Sequence, residues 1–343
     1  MNKGNREKRL NEVTIMRCVL ALMIVFVHSF TCYDSSWREP LGFEKIPIYK
    51  WLCRLAYAFA LESFVFISGY LYAFKTNIQT INFKTLLKNK FTRLIIPSIL
   101  FSILYYLMFY SYDGSIGMVY NIMNGCGHMW FLPMLFWCFI FIAILDSIKI
   151  KDFYKIIILF LFSLLPSFSF PLQLGRTITF MFYFYMGVVV YKHKDWIMSF
   201  ITQKNIYWGW CVFLLVFVTF RPMRDLLVVS DEYSYILKLI VYVSRNLCGL
   251  LYSTIGTLIL YMTTVFISQK YNLGTIVLNL AKYSFGIYII HQFILQWLYY
   301  ETSLPLILGP YWLPWCGFSF TVIVSYILSS FFFRFEMGKK LIG

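Results

Sequence analysis

Ten long apolar runs constrain the fold of this 343-residue chain more than any other feature of its sequence. A helix needs about 20 mostly apolar residues to cross a membrane, whereas a strand of a transmembrane β-barrel shows about ten alternating residues. The runs match the helical case, so we predict an all-α polytopic membrane protein with about ten transmembrane helices. Because the loops are too short for a soluble domain, residues 1–343 are expected to form one integral membrane domain. The predicted spans are residues 13–30, 51–74, 94–112, 129–148, 153–170, 176–191, 206–220, 237–267, 275–300 and 311–333.

The composition narrows the class of protein further. Hydrophobic residues make up 60% of the chain and charged residues 13%, against roughly 25% charged residues in a soluble domain. The net charge is +15, but a nucleic-acid-binding domain would be less apolar and would carry its cations on one face. These figures exclude a soluble enzyme, a disordered chain and a nucleic-acid binder.

The basic residues indicate the orientation in the membrane. With the N-terminus in the cytoplasm, 20 of the 30 Lys and Arg residues fall in cytoplasmic segments, seven in outer segments and three inside spans. Short cytoplasmic loops of membrane proteins are rich in Lys and Arg, so both termini are predicted to be cytoplasmic. The first cytoplasmic cluster comprises Lys3, Arg6, Lys8 and Arg9.

The cysteines leave two alternatives open. None of the eight forms a Cys-x-x-Cys pair, and most lie in or beside spans, where Cys packs as a small apolar residue. Cys32, Cys53 and Cys126 lie near the predicted outer surface, so either one disulfide forms among them or all three simply pack. No metal is expected.

Arg17 and His28 are the most informative polar residues, because both lie in the first apolar run. A charged side chain inside lipid costs about 2.5–3.5 kcal/mol on insertion scales, so each is a functional candidate. Eleven residues are just over three helical turns and rise about 16 Å, which places both side chains on one face. They are expected to line a cavity or tunnel. The alternatives are a snorkelling Arg17 and a His28 that is hydrogen-bonded for packing.

Glu62 is the second candidate and lies inside the second span. An unpaired carboxylate there would be protonated or would find a cation, and the expected partners are Arg17, Arg54 or Arg245. A structural ion pair and a catalytic role are equally compatible with the sequence. Ser68 and Tyr70 follow in the same helix around a glycine, where they can hydrogen-bond in a cavity.

A basic run that ends in Lys90 and Arg93 precedes the third span, before Pro97. Such a run binds anionic lipid headgroups, orients the chain, or holds the phosphates of a cytoplasmic cofactor. The residues by themselves favour lipid contact or orientation.

Two further segments carry polar residues next to apolar ones. His128 and Trp130 open the fourth span behind two glycines, where an ordinary interfacial histidine is the alternative to a functional one. Ser284, Tyr288 and His291 follow at i, i+4 and i+7 in the ninth span and therefore form a second polar stripe.

Together these segments resemble the membrane-bound acyltransferase 3 family from about residue 9 to residue 333. The family has an Arg and a His separated by ten residues in its first span, which Arg17 and His28 match. Lys90 stands where many members carry Arg. The other matching segments, in the family's order, are residues 64–70 around Ser-Gly-Tyr, residues 90–97 ending in proline, residues 128–132, residues 182–187 ending in Met-Gly, and residues 283–291 from Tyr-Ser to His.

The resemblance implies transfer of an acyl group, usually acetyl, from cytoplasmic acyl-CoA to a hydroxyl of an extracytoplasmic or lipid-linked carbohydrate. It implies His28 as the base, Arg17 as the residue that orients the cofactor end, and Lys90 and Arg93 as ligands of the CoA phosphates. The family gives no role for Glu62. The implied setting is a bacterial cytoplasmic membrane. The predicted substrate cavity comprises Glu62, Ser68, Tyr70, His128, Trp130, Ser284 and His291.

Two other functions compete with this one. A polysaccharide or small-acid exporter of the same fold is the main alternative, and it would be favoured by inverted repeats or broken helices, neither of which is clear in the sequence. A sensory or scaffold protein is disfavoured by the Arg17 and His28 pair.

Overall fold

The computed structural model describes residues 10–40, 43–79, 82–112, 114–166 and 170–343. These residues are helical almost throughout, and none of them forms a strand. The predicted cluster of Lys3, Arg6, Lys8 and Arg9 lies outside the described residues. The helices are α1 (Asn11–Ser29), α2 (Pro47–Tyr57), α3 (Ala60–Ile78), α4 (Phe83–Lys90), α5 (Ile96–Phe109), α6 (Ser115–Asn124), α7 (Phe131–Ser147), α8 (Asp152–Leu164), α9 (Leu174–Lys192), α10 (Lys194–Ser199), α11 (Gln203–Leu226), α12 (Tyr235–Lys270), α13 (Thr275–Tyr300), α14 (Leu304–Phe332) and α15 (Glu336–Ile342).

The helices confirm a polytopic all-α membrane protein. Within the described residues, eight helical segments are long and apolar enough to cross a membrane. The number of ten spans and the cytoplasmic termini stay predictions. The eight segments are Asn11–Ser29, Pro47–Ile78, Phe83–Phe109, Gly127–Ser147, Pro171–Lys192, Gln203–Leu226, Tyr235–Lys270 and Leu304–Phe332.

The other two predicted spans coincide with α8 and α13. Helix α13 has 26 residues and occupies residues 275–300. Helix α8 has only 13 residues, and Leu165 after it is extended. Pro166 explains this end, because the residue before a proline is driven out of the helical region.

Pro97 also shapes the helix that carries the basic run. Residues Phe91–Ile95 form a π-helical turn between α4 and α5. A proline lacks the N–H that would bond to the carbonyl four residues earlier, and its ring crowds that carbonyl. Here that carbonyl belongs to Arg93. The wider π-helical turn, which includes Arg93, relieves the clash with the proline ring.

Close contact between α3 and α9 forms the centre of the bundle, and two glycines allow it. A Cβ atom at Gly69 would overlap the carbonyl oxygen of Phe184, and one at Gly187 would overlap that of Phe66. Small residues let membrane helices approach backbone to backbone. The Ser-Gly-Tyr and Met-Gly segments thus pack against each other, while α1 packs against α3, α12, α13 and α14.

Candidate active site

Three histidines from distant parts of the sequence meet at the C-terminal end of α1. His28 comes from α1, His128 from the 3₁₀ turn before α7, and His291 from α13. His291 Nε2 lies 3.1 Å from His28 Nδ1, and the ring centroids of His128 and His291 are 4.7 Å apart. The structure therefore brings His128 and His291, both expected in the substrate cavity, to the predicted base. We call this end of the bundle the histidine end.

The hydrogen bonds assign a tautomer to two of these rings. His291 Nδ1 lies 2.5 Å from the Tyr288 carbonyl oxygen, and His28 Nδ1 lies 2.9 Å from that of Ile24. A carbonyl oxygen only accepts, so both Nδ1 atoms carry the proton. The single His28 Nδ1–H is then shared between the Ile24 carbonyl oxygen and His291 Nε2, which lies 3.1 Å from His28 Nδ1. His28 Nε2 is left with its lone pair, which is the form that a general base requires.

His128 lies in a more enclosed part of the same cluster. Its Nε2–H donates to the Ile289 carbonyl over 2.9 Å, and its own carbonyl accepts from the Tyr288 hydroxyl. Gln292 is buried beside the ring, with its side-chain amide within hydrogen-bonding reach of His128.

Basic side chains gather at the opposite end of α1. Lys90 interacts electrostatically with Arg17, Lys75 and Arg93, and its ammonium lies 3.4 Å from the centre of the Phe139 ring. None of the four cations has a carboxylate oxygen within 4.0 Å among the residues that the structure describes. We call this cluster the basic end. Uncompensated cations in one place are typical of a site for a polyanion.

An open cavity of about 480 Å³ adjoins the histidine end. The Trp37 ring forms part of its wall and has its centroid 5.8 Å from that of His28. We call it the Trp37 cavity. None of the seven residues expected in the substrate cavity lines it. Its lining residues are Trp37, Arg38, Met108, Phe109, Tyr110, Ser111, Gln296, Tyr300 and Glu301.

Four of those seven residues lie away from His28. The Ser68 hydroxyl donates to the Phe64 carbonyl, and the Ser284 hydroxyl donates to that of Ala281. Tyr70 and Trp130 contact residues of other helices. The Tyr70 hydroxyl donates to Glu12 over 3.2 Å near the start of α1, and Trp130 packs under Arg176, with 4.2 Å from the guanidinium carbon to the ring centre.

Glu62 has a different cation beside it from those expected. Arg54 pairs with Asp34 over 2.6 Å and with Asp225, and the cation that acts on Glu62 is Arg224. Arg224 lies beyond the predicted span 206–220, but α11 continues through Pro222 to Leu226 and so includes it. Its guanidinium donates to the Tyr252 hydroxyl over 2.5 Å. Glu62 Oε2 is buried without a hydrogen-bond partner in the described part of the chain.

Cys32, just beyond the end of α1, and Cys53, in α2, are free thiols. Cys32 and Cys53 pack in one apolar cluster with Val27 and Leu295. These two cysteines therefore pack as apolar side chains and are not joined by a disulfide bond. Burial raises the pKa of Cys32, which lies beyond the end of α1, to about 12. Cys126 is buried two residues before His128, with its backbone N–H donating to Ser102 Oγ over 3.1 Å.

The fold and these two ends define a polytopic membrane protein that carries a polar, histidine-containing site within its helices. The chain matches the family model of the acyltransferase domain over residues 10–334, and it therefore belongs to the acyltransferase 3 family. No curated protein and no solved structure matches it. Membership of this family identifies the chain as a membrane acyltransferase. Among the described residues, no group of three His, Cys, Asp or Glu side chains is placed to hold a metal ion.

Proposed function

We propose that this acyltransferase moves an acetyl group from cytoplasmic acyl-CoA to a hydroxyl of an extracytoplasmic or lipid-linked carbohydrate, with His28 as the base. One observation carries the proposal. Helix α1 joins the basic end to the histidine end, with Arg17 at one and His28 at the other, about 16 Å apart along the axis. A donor held by its phosphates at the basic end can extend its flexible arm past Arg17 and along α1 towards His28.

The positive charge of the basic end supports CoA as the acyl donor. CoA carries several phosphate charges, and in the described part of the chain no carboxylate oxygen lies within 4.0 Å of the four cations of the basic end. Arg17 and Arg93 can bind phosphate oxygens through two N–H groups at once, whereas Lys90 acts as a point charge. We assign the CoA phosphates to Lys90 and Arg93, and the orientation of the arm to Arg17.

The chemical step uses the lone pair on His28 Nε2. This nitrogen takes the proton of the acceptor hydroxyl while the oxygen attacks the thioester carbonyl carbon. The tetrahedral intermediate then breaks its C–S bond, the CoA thiolate leaves, and the imidazolium returns the proton to it. One ester and one free thiol result. General base catalysis of this kind typically contributes about 10²–10⁴-fold.

Purified protein in liposomes tests the proposal. With radiolabelled acetyl-CoA and a panel of methyl hexopyranosides, we expect thiol release and labelled ester from the unmodified protein and from His193→Ala. His193 is an exposed histidine outside the cluster and serves as the matched control. We expect His28→Ala to lose at least 100-fold in rate while it remains folded in detergent. Full activity of His28→Ala would refute the role of His28. Label that crosses the bilayer with its thioester intact would instead support an exporter.

A further inference from the structure

We infer that the Trp37 cavity holds a hexopyranosyl unit of the acceptor, stacked on Trp37. This inference rests on the proposed function, because it assumes that a carbohydrate hydroxyl is acylated at His28. It adds the position of the sugar and the residues that select it, none of which belongs to the substrate cavity expected from the sequence.

Aromatic rings form one side of the cavity. The centroid of Trp37 lies 6.4 Å from that of Tyr300 and, behind it, 6.4 Å from that of Tyr299. Tyr110 faces the cavity from the end of α5, stacked on Tyr106 at 5.4 Å. Rigid aromatic faces of this kind provide large contact areas at low entropic cost. They suit the C–H face of a sugar ring.

Polar groups complete the wall. Arg38 and Glu301 line the same cavity, and neither has an oppositely charged partner within 4.0 Å in the described ranges. Tyr300 holds the loop in place, since its hydroxyl donates to the Arg38 carbonyl over 2.6 Å and its ring lies 5.4 Å from the guanidinium. A carboxylate accepts from hydroxyl groups and a guanidinium donates to them. One charge of each sign favours a neutral polyol over a phosphate.

Size and position agree with this ligand. A volume of about 480 Å³ lies at the lower end of the range of small-molecule sites, about 300–1,000 Å³. It therefore fits a terminal unit of a glycan and not a long segment. The 5.8 Å between the Trp37 and His28 ring centroids lets a sugar on Trp37 present a hydroxyl to the base.

The test separates binding from catalysis. Saturation-transfer NMR with methyl hexopyranosides, without acyl-CoA, measures binding to the unmodified protein, Trp37→Ala, Trp37→Phe and Glu301→Gln. Trp297→Ala is the matched control, because this neighbouring tryptophan is 48% exposed and lies outside the cavity wall. We expect Trp37→Ala to weaken binding about tenfold, as the loss of one stacking contact predicts. Trp37→Phe should retain most of the binding and confirm that the site stays folded.

Steady-state kinetics give the second readout. Trp37→Ala and Glu301→Gln should raise KM for the glycoside and leave KM for acetyl-CoA unchanged. Glycoside binding that is the same in Trp37→Ala as in Trp297→Ala would overturn the inference. If acetyl transfer occurred and Trp37→Ala left the glycoside KM unchanged, the sugar site at Trp37 would be refuted and the proposed function would stand. Binding that depends on Trp37, without any acetyl transfer, would confirm the sugar site and refute the proposed function.

Discussion

His28 Nδ1 lies 3.1 Å from His291 Nε2 and shares its proton between that nitrogen and the Ile24 carbonyl oxygen, so a ring on α13 helps to orient a ring on α1. His291 is itself oriented by the carbonyls of Ile287 and Tyr288, at 3.2 and 2.5 Å. This arrangement turns the unprotonated Nε2 of His28 away from His291. His291 is therefore a positioning residue.

Replacement of His291 by alanine should lower kcat for acetyl transfer about 10- to 100-fold, because a mobile imidazole loses much of the benefit of general base catalysis. His291→Gln should recover part of the rate, since a side-chain amide can donate to a carbonyl and accept from His28. The double variant His28→Ala/His291→Ala should be no slower than His28→Ala, because residues that act as a unit are not additive. A rate loss in the double variant equal to the product of the two single losses would contradict the positioning role of His291.

The cluster shows what the sequence could and could not predict. The common face of Arg17 and His28 follows from the period of one helix, which is a local property. The meeting of His28 with His128 and His291 depends on how α1, α7 and α13 pack, and no local pattern contains it. The segment that carries Trp37 was missed because a loop has no period. Its tryptophan at the end of a span, where aromatic residues favour the interface, was the available signal.

The contact between α3 and α9 predicts a sharp effect of small substitutions. Gly187→Ala should lower the free energy of unfolding by about 1–3 kcal/mol, because the added methyl meets the Phe66 carbonyl on the partner helix. Thermal unfolding in detergent, followed by size-exclusion chromatography, measures this change. Gly274→Ala is the control, since a Cβ there meets no atom within 4 Å. Equal melting temperatures of the two variants would contradict the close packing.

The thiol of Cys32 should resist alkylation over the neutral pH range. Burial raises its pKa to about 12, so it stays protonated as pH rises through 8, and the thiolate that reacts forms only near and above the raised value. Mass spectrometry after iodoacetamide treatment at pH 8 should find Cys32 unmodified in the folded protein and modified once denaturant exposes it. A peptide with Cys32 joined to Cys53 would contradict the free thiols.

Lys90 tests the donor side of the proposal, because its ammonium lies on Phe139 and among three other cations. Lys90→Gln should raise KM for acetyl-CoA about tenfold or more, since a charge-assisted hydrogen bond is worth about 1.5–3 kcal/mol. The glycoside KM should not change. Lys84→Gln, at an exposed lysine of α4, is the matched control. If both variants raised KM for acetyl-CoA equally, the basic run would act through its overall charge, as lipid contact or orientation requires, and the phosphate site at Lys90 would be wrong.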